Sequence, residues 1–161
     1  MKDLPNSAKA MAELQKTDRN FWMDCAFLEG KKSGCIRAES LIGAVAVKEG
    51  QVVAGGYNGV VGKIMPCCNR GYCIRKKLNI PSGTQREIAY CICAEQRMIC
   101  NAARDGVKLE GAEVYVTHKP CAICTRLMIE SGIARAFFKS DYPNQFTDEI
   151  CKESGFEMIK L

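Results

Sequence analysis

The sequence predicts an α/β fold, in which helices pack on both faces of a β-sheet. The main observation is that helical and strand patterns alternate in the order α-β-β-α-β-α-β-α, followed by a short candidate strand. The length of 161 residues is enough to bury a full core and corresponds to about one domain, here residues 1–161. No apolar run approaches the roughly 18 residues of a membrane span, so no membrane partner is expected.

The first elements are one helix and a hairpin. Residues 18–30 predict a helix because their apolar side chains fall on one face, with Asp18 as the N-cap. Residues 42–47 and 51–54 are apolar strands, and the Glu49-Gly50 pair between them predicts a tight turn.

After the second strand, the apolar strand pattern stops at a glycine-rich segment, and regular apolar spacing returns only after residue 90. The glycine-rich residues 55–59 predict a loop after the second strand. Residues 60–90 are irregular, and a loop this long usually has a function or is held by a ligand. Further helices are predicted at residues 94–103, 121–130 and 147–154, and further strands at 113–117, 134–138 and 156–161.

Cysteine is the unusual residue in this composition, with 11 cysteines against one histidine. An odd number excludes full internal pairing, and the N-terminal residues show no apolar segment of a secretion signal. We therefore expect a cytoplasmic protein in which clustered thiols stay reduced and bind metal. The net charge of +5 fits a small anionic substrate, weak nucleic-acid contact or simply a charged surface.

Two cysteine motifs, Cys93-Ala94-Glu95 and Pro120-Cys121-Ala122-Ile123-Cys124, are separated by one predicted helix, a turn and one predicted strand. A ten-residue helix advances about 15 Å and a five-residue strand returns about 17 Å. The two motifs should therefore meet at the same end of the sheet. The i, i+3 spacing also places the thiols of Cys121 and Cys124 on one helix face.

A zinc ion with an open coordination position fits these residues. Helix N-termini lower the pKa of thiols, and three thiolates leave a fourth tetrahedral position for water. Zinc makes such a water acidic enough to be a nucleophile, and Glu95 is placed to transfer protons beside it. A purely structural zinc and a redox cysteine pair are the alternatives, although neither needs the upstream Cys-x-Glu motif.

With these motifs, the sequence resembles the zinc-dependent cytidine and deoxycytidylate deaminases. The signature of that family is H-x-E…P-C-x-x-C, with a three-cysteine variant, and here it reads Cys93-x-Glu95 and Pro120-Cys121-x-x-Cys124. The apolar run at residues 42–47 resembles a strand of the family, and the Gly-Tyr-Asn-Gly segment at 56–59 and the insertion at 73–83 resemble the deoxycytidylate branch in particular.

The resemblance implies a three-layer α/β/α cytidine deaminase-like fold with a mixed five-stranded sheet. It implies that the protein is a homo-oligomeric hydrolase that converts dCMP to dUMP and ammonia at a catalytic Zn²⁺. The implied zinc ligands are Cys93, Cys121 and Cys124. Glu95 would carry protons to the pyrimidine N3 and to the leaving ammonia, Asn58 would contact the sugar, and Tyr142 would lie near the phosphate.

One position departs from the pattern of the deoxycytidylate branch, because Cys93 stands where histidine is usual. Three thiolates give the Zn²⁺ shell a formal charge of minus one, whereas one neutral histidine and two thiolates give zero, so the metal becomes a weaker Lewis acid. Cytidine deaminases with a similar shell place an arginine beside a thiolate. Arg97 and Arg126 are the candidates for that role here, and the alternative is that both are solvated charges on helix surfaces.

A second cysteine group lies in and beside the 60–90 loop. Some deoxycytidylate deaminases bind a second, structural zinc there, which implies Cys67, Cys68, Cys73 and Cys91 as ligands. Cys25 or Cys35 is a candidate for a further ligand. The alternative is a set of buried free thiols that pack as small apolar groups.

Three more residues are assigned by position. His118, the only histidine, is expected in a loop near the zinc site. Cys100 and Cys151 lie in predicted helices and are expected to pack in the core.

Two rival functions remain beside the deamination of a free nucleotide. One is deamination of a base in tRNA or another nucleic acid, which the small number of aromatic residues and the weak positive charge make the less favoured reading. The other is a zinc-binding module of the same fold without activity, against which Glu95 argues because a structural site needs no such carboxylate.

Overall fold

The computed structural model describes residues 7–142 and 146–161, with side chains from residue 18 onward. The helices are α1 (Ser7–Gly30), α2 (Cys67–Arg70), α3 (Ile74–Lys77), α4 (Ala94–Asp105), α5 (Ala122–Glu130) and α6 (Thr147–Ser154), and a 3₁₀ turn spans Ala38–Ser40. The strands are β1 (Gly43–Lys48), β2 (Gln51–Tyr57), β3 (Gly59–Val60), β4 (Cys91–Ile92), β5 (Glu113–His118), β6 (Arg135–Ser140) and β7 (Glu157–Lys160).

The predicted mixed five-stranded sheet is confirmed. Its strand order is β2-β1-β5-β6-β7. The β2-β1 and β1-β5 pairs are antiparallel, whereas the β5-β6 and β6-β7 pairs are parallel. The Glu49-Gly50 turn between β1 and β2 has positive φ at both residues, as a two-residue hairpin requires.

Alternation of side chains along the strands divides the core between the two faces of the sheet. One face buries Val45, Val47, Tyr115 and Phe137 against Met23 and Ala26 of α1. The other face buries Ala44, Val114, Val116 and Phe138 with Met98 of α4 and Met128 of α5. The fold therefore has the three predicted layers. None of the helices in the described residues combines the length and the apolar composition that a membrane span requires.

Two predicted boundaries are wrong. The first helix begins at Ser7, so Asp18 lies inside it and does not cap it. Strand β2 continues to Tyr57 through Gly55 and Gly56, which the sequence analysis placed in a loop. Helix α4 lies against β2 at Gly56. A Cβ at this position would be 2.4 Å from the carbonyl oxygen of Ala94, so no larger residue fits. The glycine therefore permits close packing of helix and strand.

The 60–90 loop contains local structure that the sequence does not predict. The short strands β3 and β4 pair antiparallel and close its two ends, and α2 and α3 lie within it. The Arg75 guanidinium holds the middle of the loop by donating hydrogen bonds to the carbonyl oxygens of Pro81, Thr84 and Gln85, at 2.8, 2.5 and 2.5 Å.

Candidate active site

The structure brings the three predicted thiols together at one end of the sheet. Cys93 is the N-cap of α4, Cys121 is the N-cap of α5, and Cys124 lies in the first turn of α5. Their sulfur atoms all lie within 4.8 Å of one another. The opposite directions of α4 and β5 produce this meeting, as the lengths of the two elements predict.

Local hydrogen bonds hold the two helix starts in place. The backbone N–H of Cys93 donates to Oε1 of Gln96 at 2.9 Å, which fixes the first turn of α4. The Oγ1 of Thr147 donates to the carbonyl oxygen of Pro120 at 3.0 Å, which ties the start of α6 to the segment before Cys121. The two cysteine motifs therefore project from rigid elements.

The donor set and spacing fit a zinc ion. Two thiolates on one tetrahedral zinc are about 3.8 Å apart, given a Zn–S bond of about 2.3 Å, and the Sγ atoms of Cys121 and Cys124 are 3.5 Å apart. Hydrogen bonds from the thiols of Cys124 and Cys93 lower the pKa of Cys121. The hydrogen bonds to Cys121 raise the pKa values of Cys93 and Cys124 in turn, so the three thiols share one favoured thiolate, and a bound metal would deprotonate the other two.

Glu95 is a buried carboxyl group beside these sulfur atoms. It is only 4% exposed, and burial is the main cause that raises its pKa to about 7. Glu95 also lines the same cavity as Cys93 and Cys121. A carboxyl group with a pKa near neutrality takes up and releases protons readily, which suits general acid–base catalysis.

Arg86 of the 60–90 loop is the arginine that reaches the thiols. Its Nη2 donates to Sγ of Cys93 at 2.5 Å, and its Nη1 donates to Oη of Tyr142 at 2.8 Å. Arg86 is not among the predicted site residues, because the loop has no periodicity that would place residue 86 beside residue 93.

Neither Arg97 nor Arg126 takes the place beside a thiolate, and for Arg126 the alternative of a solvated charge on a helix surface is confirmed. The Arg97 guanidinium donates to the carbonyl oxygens of Tyr57, Gly59 and Val60 at 2.8 to 3.0 Å, so it joins α4 to the β2–β3 segment. Arg126 lies exposed on α5.

A cavity of about 350 Å³ connects these groups with basic side chains. Its walls include Glu95 together with Arg37, Lys76 and Lys119. The Nε of Arg37 is buried and has no hydrogen-bond acceptor among the described residues. An unsatisfied buried guanidinium nitrogen on a cavity wall is suited to an anionic ligand.

The two predicted substrate contacts both line this cavity. Asn58 accepts a hydrogen bond from the backbone N–H of Ile42 at 2.9 Å and donates one to the carbonyl oxygen of Ser40 at 2.7 Å. Its side chain therefore already orders the entry to β1, while its amide retains further hydrogen-bonding capacity. Tyr142 is held by Arg86.

The loop cysteines form a looser group than predicted. Cys67 and Cys91 interact with each other, and both interact electrostatically with Cys35 and Cys73. Their sulfur atoms do not form a group of three within 4.8 Å of one another, as those of Cys93, Cys121 and Cys124 do. Burial is the main cause that raises the pKa of Cys67 and raises that of Cys91 to about 12. Cys68 lies outside the group, because it is exposed and its Sγ donates to Oδ1 of Asn69 at 3.1 Å.

Some of the remaining residues singled out from the sequence lie where they were predicted, and others do not. Cys25 packs with the α1 face of the core, so of the two candidates for a further ligand only Cys35 lies with the loop cysteines. His118 is the last residue of β5 and therefore does not lie in a loop as predicted, although it does line the cavity, and burial lowers its pKa. Cys151 packs against the core as predicted, whereas Cys100 is exposed and the prediction for it is wrong.

Several known proteins are similar to this chain in sequence, and three of them are described here. ComE operon protein 2 of Bacillus subtilis is 30% identical over 144 residues, which cover 88% of this chain and 70% of that protein. Deoxycytidylate deaminase of Saccharomyces cerevisiae is 30% identical, and this chain spans about half of its length, with 96% and 48% covered. Deoxycytidylate deaminase of Enterobacteria phage T4 is 27% identical over 86% of this chain and 87% of that protein.

Solved structures share the fold. The dCMP deaminase of cyanophage S-TIM5 in complex with dCMP and dUMP has a TM-score of 0.66 at 22% identity, covering 89% of this chain and 96% of that one. A family model described as the cytidine and deoxycytidylate deaminase zinc-binding region matches residues 16–140. These similarities agree with the three thiols and the buried carboxyl group, and the chain therefore belongs to the cytidine and deoxycytidylate deaminase family of zinc-dependent hydrolases.

Proposed function

We propose that the protein hydrolyses dCMP to dUMP and ammonia. The observation that carries this proposal is a single cavity whose walls include Glu95, the thiols of Cys93 and Cys121, and the basic side chains of Arg37 and Lys76. A deaminating centre and an anion-binding wall in one cavity fit a phosphorylated pyrimidine. The volume of about 350 Å³ is typical of a small-molecule site.

Glu95 is the proton carrier in this proposal. Cys93, Cys121 and Cys124 would hold Zn²⁺, which supplies Lewis acidity for the hydrolysis when bound. The buried Glu95 carboxylate takes up one proton from the attacking water and delivers it to the pyrimidine N3. It then takes up the second proton, from the hydroxyl added at C4, and delivers it to the amino group, which leaves as ammonia while the C4 carbonyl forms. A pKa of about 7 suits both directions of transfer.

The substrate contacts follow from the remaining cavity walls. Arg37 would bind the phosphate, because its buried Nε needs an acceptor and a charge-assisted hydrogen bond satisfies it. Asn58 would contact the sugar with the donor and acceptor capacity that Ile42 and Ser40 leave unused. Tyr142 would lie near the phosphate, at an orientation that Arg86 fixes.

A panel of substrates tests the proposal against its rivals. The zinc-loaded protein is incubated separately with dCMP, dCTP, cytidine and a tRNA arm, and ammonia release is measured. We expect release from dCMP, with much slower or no release from cytidine, which lacks the phosphate. Release from the tRNA arm alone would favour a nucleic-acid deaminase, and release from none of the four would favour an inactive zinc-binding module.

We propose a second, structural zinc in the loop group, now defined as Cys35, Cys67, Cys73 and Cys91. Its support is that Cys67 and Cys91 interact with each other and with Cys35 and Cys73, in a segment with little regular structure that a metal would draw together and stabilise. Metal analysis should find about two zinc ions per chain, and about one in Cys67→Ser. The matched variant Cys68→Ser, which alters an exposed thiol outside the group, should retain both.

We also propose that the protein acts as a homo-oligomer in the cytoplasm. Phe21 (57%) and Leu28 (59%) are exposed apolar residues seven positions, and therefore two turns, apart on one side of α1. Exposed apolar surface of this kind is typical of contacts between subunits. Light scattering of the purified protein measures the subunit number directly, and a monomeric mass would contradict the proposal.

A further inference from the structure

The only histidine of the chain, His118, lines the cavity that also contains Glu95. It follows Thr117, whose side chain is fully buried, and its Nδ1 lies 3.1 Å from Oγ1 of Thr117. Its Nε2 has no hydrogen-bond partner among the described residues. Within that part of the chain, Nε of Arg37 is the one buried side-chain nitrogen or oxygen without a partner, so Nε2 of His118 is accessible.

The hydroxyl group of Thr117 determines which nitrogen of His118 carries the proton. Oγ1 of Thr117 accepts a hydrogen bond from the backbone N–H of Gly43 at 3.3 Å. The hydroxyl proton itself needs an acceptor, because a buried donor without one is costly. Nδ1 of His118 is the only acceptor that the described residues offer it. Thr117 therefore donates to Nδ1, and the neutral ring carries its proton on Nε2.

The neutral form and this tautomer make His118 a hydrogen-bond donor and not a metal ligand. Burial lowers the pKa of His118, which favours the neutral ring over imidazolium. Metal binding through Nε2 would require the proton on Nδ1, and the Thr117 hydroxyl would then lose its acceptor. Nε2–H is therefore an accessible donor on a ring that lines the cavity, and such a donor is suited to an acceptor atom of a ligand.

We propose that His118 is a specificity-determining residue that donates from Nε2–H to an oxygen atom of the bound nucleotide, with Thr117 as the residue that positions this donor. The contact with a nucleotide rests on the proposed function, whereas the tautomer does not. An uncharged donor favours an acceptor oxygen at one point without adding to the positive charge of the cavity wall.

The anchors of His118 and of Asn58 are neighbours in the chain. The N–H of Gly43 donates to Thr117, which holds the His118 ring. The N–H of Ile42 donates to Oδ1 of Asn58. The entry to β1 thus helps to orient both side chains, and both line the cavity.

NMR of the untagged, zinc-loaded protein with ¹⁵N-labelled histidine tests the tautomer, since one histidine gives one set of ring signals. At neutral pH we expect two-bond ¹H–¹⁵N correlations to show a proton on Nε2 and none on Nδ1. Thr117→Val removes the hydroxyl and should yield a mixture of tautomers, whereas the matched variant Thr117→Ser should keep the tautomer of the wild type. A proton on Nδ1 in the wild type would overturn the proposal, whether or not the variants fold.

Titration with dUMP, the product of the proposed reaction, tests the contact. A hydrogen bond to the ligand should move the signals of Nε2 and its proton, with little change at Nδ1. Deoxyuridine and inorganic phosphate are titrated separately. A shift with deoxyuridine places the oxygen in the base or sugar, a shift with phosphate places it in the phosphate, and a shift with dUMP alone means that only the whole nucleotide presents it.

Calorimetry on the same samples separates two kinds of failure. Binding of dUMP without a shift at Nε2 would overturn the contact and keep the proposed function. Absence of both dUMP binding and dCMP turnover would instead reject the proposed function, and the contact with it, while the tautomer is decided by the spectrum of the free protein.

A matched pair of variants measures the effect on specificity. His118→Leu removes the donor, and we expect KM for dCMP to rise by about 2- to 10-fold, as for the loss of one neutral hydrogen bond. His118→Gln keeps an N–H donor and should recover most of this loss. A KM of the leucine variant equal to that of the wild type, or the same loss in both variants, would show that the ring only packs against its neighbours.

Discussion

The molecule contains two cysteine groups that differ in what holds them. The catalytic group, Cys93, Cys121 and Cys124, stands at the starts of two helices packed on the central sheet. The loop group is contributed by the segment after α1, by α2, by the residue before α3 and by β4. All four loop cysteines line the same cavity as Cys93 and Cys121 of the catalytic group.

The difference shows two ways in which a chain prepares a metal site. In the catalytic group, helix and strand lengths bring the sulfur atoms within 4.8 Å before any metal binds. In the loop group, the thiols come from short elements. These elements are held in place by one another and by side-chain hydrogen bonds such as those of Arg75 to the loop carbonyl oxygens. We therefore expect the catalytic group to be preorganised and the loop group to require its metal.

Removal of a catalytic thiol should have the largest effect. Cys121→Ser takes one of three ligands from a buried site, so we expect loss of the catalytic zinc and of dCMP turnover to background. The fold should persist, because the core does not depend on this metal. Metal analysis, ammonia release and circular dichroism measure the three quantities. Cys100→Ser, on an exposed thiol of α4, is the matched control and should retain full turnover.

The two cysteine groups should lose their zinc ions to a chelator at different rates. We expect a chelator to remove the loop zinc first, after which a protease should cleave within residues 60–90 while zinc remains at the catalytic group. Limited proteolysis with mass spectrometry, together with metal analysis, follows both events. Cys73→Ser should be cleaved there without any chelator, whereas Cys68→Ser should resist. Equal protection of all these proteins would show that the loop is held without metal.

A smaller effect is expected from the scaffold that supports α4. A Cβ at residue 56 would lie 2.4 Å from backbone atoms of both Ala94 and Met98, so Gly56→Ala forces the helix away from β2. We expect the free energy of unfolding to fall by about 1–3 kcal/mol, as measured by urea denaturation. Gly59→Ala, whose Cβ would meet its nearest neighbour at 3.5 Å, should change it by less than about 0.5 kcal/mol.

The sequence predicts the catalytic group better than the loop group for a physical reason. Periodicity and end signals determine helix and strand lengths, so the meeting of Cys93 with Cys121 follows from local patterns alone. The partners of Arg86 and Cys35 depend on the path of an irregular loop, which no repeat in the sequence encodes. The same limit explains why β3 and β4, of two residues each, were missed.

Gly55 and Gly56 illustrate a second limit. Glycine in a sequence predicts a turn, but here β2 passes through both residues because α4 approaches the strand closely at Gly56. At these two residues, tertiary packing therefore outweighs the local preference of glycine for a turn.

The most direct test of the account is the turnover of dCMP by the zinc-loaded variant Glu95→Gln. The glutamine keeps the size of the side chain but cannot carry a proton, and general acid–base catalysis contributes about 10²- to 10⁴-fold to rates. We predict a loss of ammonia release in this range, with the zinc content unchanged from the wild type. Turnover within about tenfold of the wild type, at equal zinc content, would contradict the assignment of Glu95 and with it the proposed chemistry of the site.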